Sequence, residues 1–285
     1  MTSSALQRQR DLMAYLLGWI SWWWDVTYNP IGGCSPLTSG CENCFAAQDA
    51  PLQMAAENPL YAGTTDVLPD GRREFNGKLT HRPRNDPYWF YPLRLKRRAR
   101  SKLGAGKPLL IFVCATCELF LPGRPSWVID RTFGMIAASD HIGLILTRLP
   151  KRLARYLNKQ STIDQERWHK KFWLGFSAET QADFDQRWPH MRRLAEQGWF
   201  VFVSLAPQLE LIVLPDAALR LLKWVIVSGE EGEHKFVRNL EDKWVRAVRE
   251  QCRAWNIPLF VKQMSHDKPI PPGLDISEFP DWSEE

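Results

Sequence analysis

The chain has 285 residues, of which 45% are hydrophobic and 24% charged, with six cysteines and a formal net charge of +5. This length and apolar content suit a protein that buries a sizeable core, and no run of about 18 or more apolar residues exists to predict a membrane span. Six cysteines in a chain this long, three of them close together, fit a reducing cytoplasm better than a disulfide scaffold.

From the N-terminus, Leu12 to Trp24 is apolar and follows Arg8, Arg10 and Asp11, which superficially copies a secretory signal. It lacks a small-residue cleavage site, so the reading is a helix leading into a buried first strand around Trp22–Val26. Next comes NPIGGCSPLTSGCENCFA, residues 29–46, which carries Cys34, Cys41 and Cys44. Gly32, Gly33, Pro36, Ser39 and Gly40 make it a loop.

Gln48 to Lys107 is long and proline-rich (Pro51, Pro59, Pro69, Pro83, Pro87, Pro92), and is expected to be an insertion, a lid or substrate platform, within a single domain spanning residues 1–285. Inside it, Tyr88-Trp89-Phe90-Tyr91 precedes RLKRRARSK, which has six Lys or Arg in nine residues. Basic groups beside aromatics suit a nucleic-acid backbone with stacked bases, which makes Trp89, Arg94, Lys96, Arg97, Arg98 and Arg100 candidate contacts. The competing reading is a solvated helix face whose aromatics belong to the core.

Beyond the insertion, apolar runs predict strands at Leu109–Val113, Ile142–Leu146, Phe172–Phe176, Phe200–Ser204, Trp224–Val227 and Pro258–Val261, with a fully apolar character that suits parallel strands buried on both faces. Helices are predicted between them at Trp127–Ser139, Lys151–Lys159, Ala182–Gln197, Ala217–Leu222 and Leu240–Trp255. Repeated βα units give an α/β fold, a complete or partial (β/α) barrel, with a doubly wound sheet as the alternative. The Pro- and acid-rich tail from Asp267 is expected to lie over the surface.

Chemistry in a barrel collects at the C-terminal ends of the strands. The residues there include Cys114, Cys117 and Glu118, then Thr147 and Arg148, then Ser177 and Glu179, then Ser204, then Ser228, Gly229 and Glu230, and finally Lys262. Such a ring can bind a charged, hydrogen-bonding ligand. Structural readings compete: Arg148 can bridge to Glu179, and Ser228-Gly229 can be a tight turn.

Three thiolates converging from a flexible loop suit a cubane [4Fe–4S] cluster with one iron left open, and an open iron can chelate S-adenosylmethionine through its amino and carboxylate groups. Glu118 or Glu179 would then accept hydrogen bonds from the amino or ribose hydroxyl groups, with Arg148, Ser177, Ser228, Gly229, Glu230 and Lys262 completing the cofactor pocket. Cys114, at the mouth, is the candidate hydrogen-atom donor. A zinc site drawing on Cys114 and Cys117 is the rival for the metal, and small buried thiols are the plainest reading of all.

The segments Trp24 to Pro30 and on through Cys44-Phe45-Ala46, Ile111 to Cys114 with Glu118-Leu119-Phe120, Leu146 to Pro150, Trp173 to Thr180, Val203-Ser204-Leu205, Trp224 to Glu230 and Phe260 to Gln263 resemble, in order, a phage-associated three-cysteine-motif family of unknown function. Its pattern is similar to that of radical S-adenosylmethionine enzymes. Two departures stand out: the gap between Cys34 and Cys41 is six residues rather than three, and Ala206 precedes Pro207 where the family has a glutamate. The resemblance implies a radical barrel supplied with electrons by a flavodoxin or ferredoxin. With the basic insertion, it makes a nucleic-acid base, DNA foremost, the expected substrate, and reversal of a thymine photoproduct one concrete version. The alternatives are a zinc-stabilised DNA-binding module without turnover and a radical enzyme acting on a peptide or small molecule.

Overall fold

The computed structural model describes residues 22–55, 58–97, 101–232 and 235–282. The helix expected from Leu12 onward, and Arg98 and Arg100 of the basic run, lie outside them.

After the first strand β1 (Val26–Tyr28) the chain makes a short β2 (Ile31–Gly32), the cysteine loop and helix α1 (Phe45–Ala55). Two small antiparallel pairings follow: β3 (Thr65–Val67) with β4 (Arg73–Phe75), and β5 (Thr80–His81) with β2. A short helix α2 (Tyr91–Arg94) precedes β6 (Leu110–Val113). The βα repeat then runs α3 (Ser126–Ala137), β7 (Ile142–Thr147), α4 (Pro150–Leu157), α5 (Thr162–His169), β8 (Phe172–Ser177), α6 (Gln181–Glu196), β9 (Phe200–Leu205), α7 (Asp216–Leu219), β10 (Trp224–Val227), α8 (Asp242–Ala254) and β11 (Leu259–Val261).

Seven strands form one parallel sheet in the order β1-β6-β7-β8-β9-β10-β11. A doubly wound sheet reverses its strand order at a switch point, and this one never does. Crossovers of one hand that always step in one direction place every helix on the same face, so the sheet curls into a half barrel. Strand residues alternate accordingly. Ile111, Val113, Leu174, Phe176, Val201, Val203, Val225 and Val227 pack outward against the helices, with Phe133, Leu153, Trp188 and Val248 among their partners. Leu110, Phe112, Leu144, Trp173, Phe202, Trp224, Ile226 and Phe260 pack inward on one another and on Trp23. Both faces are therefore apolar, which is why these strands read as continuous hydrophobic runs.

The structure departs from expectation at both ends of the sheet. The first strand starts at Val26 rather than Trp22: Trp23 and Trp24 fold inward against Phe112 and join the interior cluster. The tail is not a surface strap. Phe279 and Trp282 pack on the interior cluster, Glu278 exchanges hydrogen bonds with Leu259 (3.0 and 2.9 Å), and the Trp224 indole donates to the Glu278 carbonyl at 3.0 Å. The tail thus supplies partners for the open edge strand and closes the half barrel from below. Helix α5 also went unread, because Thr162–His169 buries only Trp168 and has almost no amphipathic stripe; Ser161 caps it, accepting from the Asp164 amide.

Interior packing is tight at Gly175. A Cβ added there would lie 2.3 Å from the Phe202 ring. Gly175→Val is expected to destabilise the protein by about 1–3 kcal/mol through overpacking. A urea midpoint lowered in Gly175→Val, and recovered in part when Phe202→Leu is added, checks this.

Candidate active site

The cysteine loop lies across the C-terminal ends of the strands, and one cavity of about 540 Å³ opens between them. Cys34, Cys41 and Cys44 all line it, as do Cys114, Cys117, Glu118, Arg148, Ser177, Ser204, Ser228, Gly229, Glu230 and Lys262, while Trp22 to Trp24, Phe112 and Ile226 bring the interior aromatic and aliphatic surface to its floor. The residues expected from the strand ends thus meet in one place, with Glu179 lying immediately behind the wall.

Three arginines hold the loop. Arg124, buried, donates to the carbonyls of Gly32, Gly33 and Thr80 at 2.8–3.1 Å, clamping the chain just before Cys34. Gly33 there has φ +68°, and a Cβ on it would lie 1.9 Å from the Lys78 carbonyl oxygen, so this position requires glycine. Arg238 donates to the Ser39 carbonyl at 2.8 Å and pairs with Glu230, with its Nη1 3.4 Å from Glu42. Arg148 donates from Nε to Glu179 at 2.6 Å, and Glu179 in turn accepts from Arg187 at 2.9 Å. Gly40 presses on Glu179 so closely that a Cβ would fall 2.4 Å from its Cγ.

Each thiol has its own electrostatic setting. Burial pushes Cys34 up to about 12, with Cys117 adding to the effect and the Glu118 amide opposing it. Burial also raises Cys44, against the pull of the Ala47 and Ala46 amides at the start of α1 and of the Arg148 charge. The Cys41 sulfur accepts from the Leu37 amide at 3.5 Å and lies 3.8 Å from the Thr38 hydroxyl. Arg148 is itself held charged against its burial by Glu179, with Cys41 and Cys44 contributing further. Burial, with Cys117 beside it, raises Cys114, whereas the hydrogen bond from Cys114 lowers Cys117.

Two expectations for this site need correcting. Glu118 and Glu179 are not free acceptors for a ligand: Glu118 takes hydrogen bonds from the Phe120 and Arg148 amides and the Thr147 hydroxyl at 2.7–3.0 Å, and Glu179 is 0% exposed between its two arginines. Glu179 thus fixes loops rather than ligand, while Glu118, already accepting three hydrogen bonds, still lines the cavity. Trp89 is also 0% exposed, its indole donating to the Pro83 carbonyl at 2.8 Å, so it offers no face to a base. Arg94, Lys96 and Arg97 are exposed, as a solvated face would be, but none of them lines the cavity.

Asn43 escaped the sequence reading. It is buried in the cavity wall between Cys41 and Cys44, and neither its carboxamide nitrogen nor its oxygen has a hydrogen-bond partner among the described residues. Buried amides are normally satisfied, and this one lies against Gly232, where an added Cβ would fall 2.9 Å from its nitrogen. Its flanking by two ligand-type cysteines was the available signal. Arg238 gave none, since its partner Ser39 is 199 residues away.

Removing the Arg238 side chain leaves Glu230 buried without its cation and frees Ser39. Arg238→Ala is expected to lower stability by about 1–3 kcal/mol, after discounting for the arginine's partial exposure. It should also speed alkylation of Cys41 by iodoacetamide, read by peptide mass spectrometry beside a denaturation curve.

No curated protein matches the chain. Among solved structures it is similar to a mutant spore photoproduct lyase with bound AdoMet and dinucleoside spore photoproduct, at 13% identity and a TM-score of 0.39. The match covers 79% of this chain and 60% of that one, so the chain spans less than two thirds of that enzyme's length. Residues 19–270 match the family described as Protein of unknown function (DUF5131), and the chain belongs to that family.

Proposed function

We propose that the cavity is the active site of a radical enzyme in which Cys34, Cys41 and Cys44 hold a [4Fe–4S] cluster with S-adenosylmethionine on its open iron. The observation that carries this reading is the opening of all three loop thiols into one cavity at the strand ends. The donor set fits the group: three sulfurs, with no imidazole among the described residues lining the cavity, and a cation, Arg148, beside two of them to offset the cluster's negative charge. Among the described residues no three His, Cys, Asp or Glu side chains gather closely enough to hold a single metal ion.

When bound, the cluster and S-adenosylmethionine supply one-electron chemistry, cleaving the sulfonium to give a radical that takes hydrogen from a substrate. The protein's own work is positional. Asn43, Ser177, Ser228 and Glu231 with Lys262 offer polar groups to the cofactor's amino acid and ribose, and Trp22, Phe112 and Ile226 keep water from the floor. Cys114, at the strand end, is placed to return a hydrogen atom from its S–H bond. The substrate proposed is a nucleic-acid base, DNA foremost, carried by Arg94, Lys96 and Arg97 on the exposed face of the basic run. A flavodoxin or ferredoxin would supply the electron.

Anaerobic reconstitution with iron and sulfide, followed by dithionite and S-adenosylmethionine, is expected to give a brown protein that forms 5′-deoxyadenosine, and Cys41→Ala to lose both colour and product. A colourless protein that retains zinc and forms no nucleoside overturns the reading. Because burial holds Cys34 and Cys44 protonated, ligation must expel their protons, and cluster incorporation should rise as the pH is raised from about 7 to about 9. Iron content of protein reconstituted at each pH is the check. For the substrate, replacing Arg94, Lys96 and Arg97 together by alanine should weaken DNA binding at every sequence and flatten its salt dependence in a filter assay. Unchanged binding would remove this face from the proposal.

A further inference from the structure

Five of the six cysteines line the cavity, and the reading above leaves Cys117 without a role. Its surroundings are specific. β6 ends at Val113, and Cys114 then takes φ +57°, a left-handed conformation that non-glycine residues seldom adopt. The neighbouring strand holds that conformation in place: the Tyr28 carbonyl accepts from the Cys114 amide at 2.9 Å, and the Asn29 side chain accepts from the Ala115 amide at 2.9 Å. The Cys117 amide then donates to the Cys114 carbonyl at 3.2 Å, closing a four-residue turn. The Thr116 hydroxyl is pinned 2.6 Å from the Tyr61 hydroxyl. A turn of this kind keeps its first and fourth Cα atoms within about 7 Å, overlapping the roughly 4.4–6.8 Å that a disulfide spans. Both cysteines line the same cavity and each shifts the other's thiol, while the Cys117 sulfur donates to the Ile31 carbonyl at 3.5 Å. Strained backbone at a strand end, holding two thiols against each other in a cavity wall, is an outlier that points to function.

We infer that Cys114 and Cys117 are a redox-active dithiol, a second reactive pair in the cavity that exchanges two electrons with a partner of the disulfide class. Cys117 is the more accessible of the two, Cys114 being 5% exposed. In the oxidising direction the Cys117 thiolate attacks the partner's S–S bond, forming a mixed disulfide and releasing one thiolate, which takes up the proton Cys117 gave away. The Cys114 thiol then loses its proton and attacks the Cys117 sulfur, forming the internal disulfide and expelling the second partner thiolate, which is protonated in turn. One dithiol and one disulfide become one disulfide and two thiols, and the reverse reaction regenerates the pair. The pair needs no cluster, so it stands or falls separately from the radical reading.

The test uses the full chain, purified without added iron or sulfide and equilibrated anaerobically with mixtures of reduced and oxidised glutathione. Free thiols are trapped with N-ethylmaleimide after denaturation and mapped by peptide mass spectrometry. The expected result is a peptide carrying Cys114 and Cys117 that loses two hydrogens and both maleimide labels as the mixture becomes oxidising, while Cys252, buried on α8, keeps its label. Cys114→Ser should trap one glutathione on Cys117, and Cys117→Ser should leave Cys114 labelled. Both cysteines remaining labelled up to the fully oxidised mixture, or Cys117 appearing in a disulfide with Cys34, would overturn the inference. The wild-type result decides the matter even if either variant fails to fold.

Discussion

The Glu179 carboxylate is the interaction on which the site depends. It lies at the end of β8, fully buried, and receives Arg148 on one oxygen and Arg187 on the other, while Arg187 continues to Asp183 and to the Ser177 carbonyl. Breaking such a buried pair on one side costs about 3–5 kcal/mol, because a charge is left without its partner in a low-dielectric interior. Asp183 is also part of the capping box at the start of α6, so the helix, the strand end and the ion cluster set one another's positions. Gly40 rests directly on Glu179, and Arg148 faces Cys41 and Cys44 from its other side. The cysteine loop is therefore seated on a charged base that the parallel sheet has already fixed.

Arginine recurs in this loop because a glycine-rich segment has few side chains to be held by. What it does present is backbone carbonyls, and a guanidinium can donate to several at once from a fixed planar fork. Arg124 does this at Gly32 and Gly33, and Arg238 at Ser39, while Gly32 and Gly33 let the 58–97 segment approach to distances a Cβ would block. The Cys34 carbonyl accepts from the Gly77 amide at 3.0 Å, and β5 pairs with β2. The proline-rich segment thus packs on the cysteine loop rather than standing apart from it.

What the sequence made legible follows from which forces act locally. Strands buried on both faces must be apolar at every position, so β6 to β11 were visible to within a residue or two, and the residues just beyond them were placed on the cavity wall by topology alone. The tryptophans at 22–24 misled for the same reason: they are apolar because they floor the cavity, not because they form a strand. Trp89 was misread because an aromatic beside basic residues looks alike whether it stacks on a base or is roofed by Arg131, whose guanidinium lies 5.1 Å from its ring. Arg238, Arg124 and the tail residues Phe279 and Trp282 act over long sequence separations, and nothing in their own neighbourhoods announces their partners.

The two groups of thiols in the cavity rest on supports of different kinds. Cys34, Cys41 and Cys44 belong to a loop whose position is set by arginines and glycine contacts. Cys114 and Cys117 sit on a turn anchored to β1 by two hydrogen bonds and braced by Tyr61, which keeps their sulfurs at a fixed separation. Ligation tolerates adjustment, because a metal centre pulls its donors into place. Exchange between two thiols does not, because the S–S bond forms only within a narrow range of distance and direction. The two groups adjoin at Cys34: Cys117 lies close enough to raise that thiol and donates from its sulfur to the Ile31 carbonyl at 3.5 Å, so the loop and the turn share one wall of the cavity.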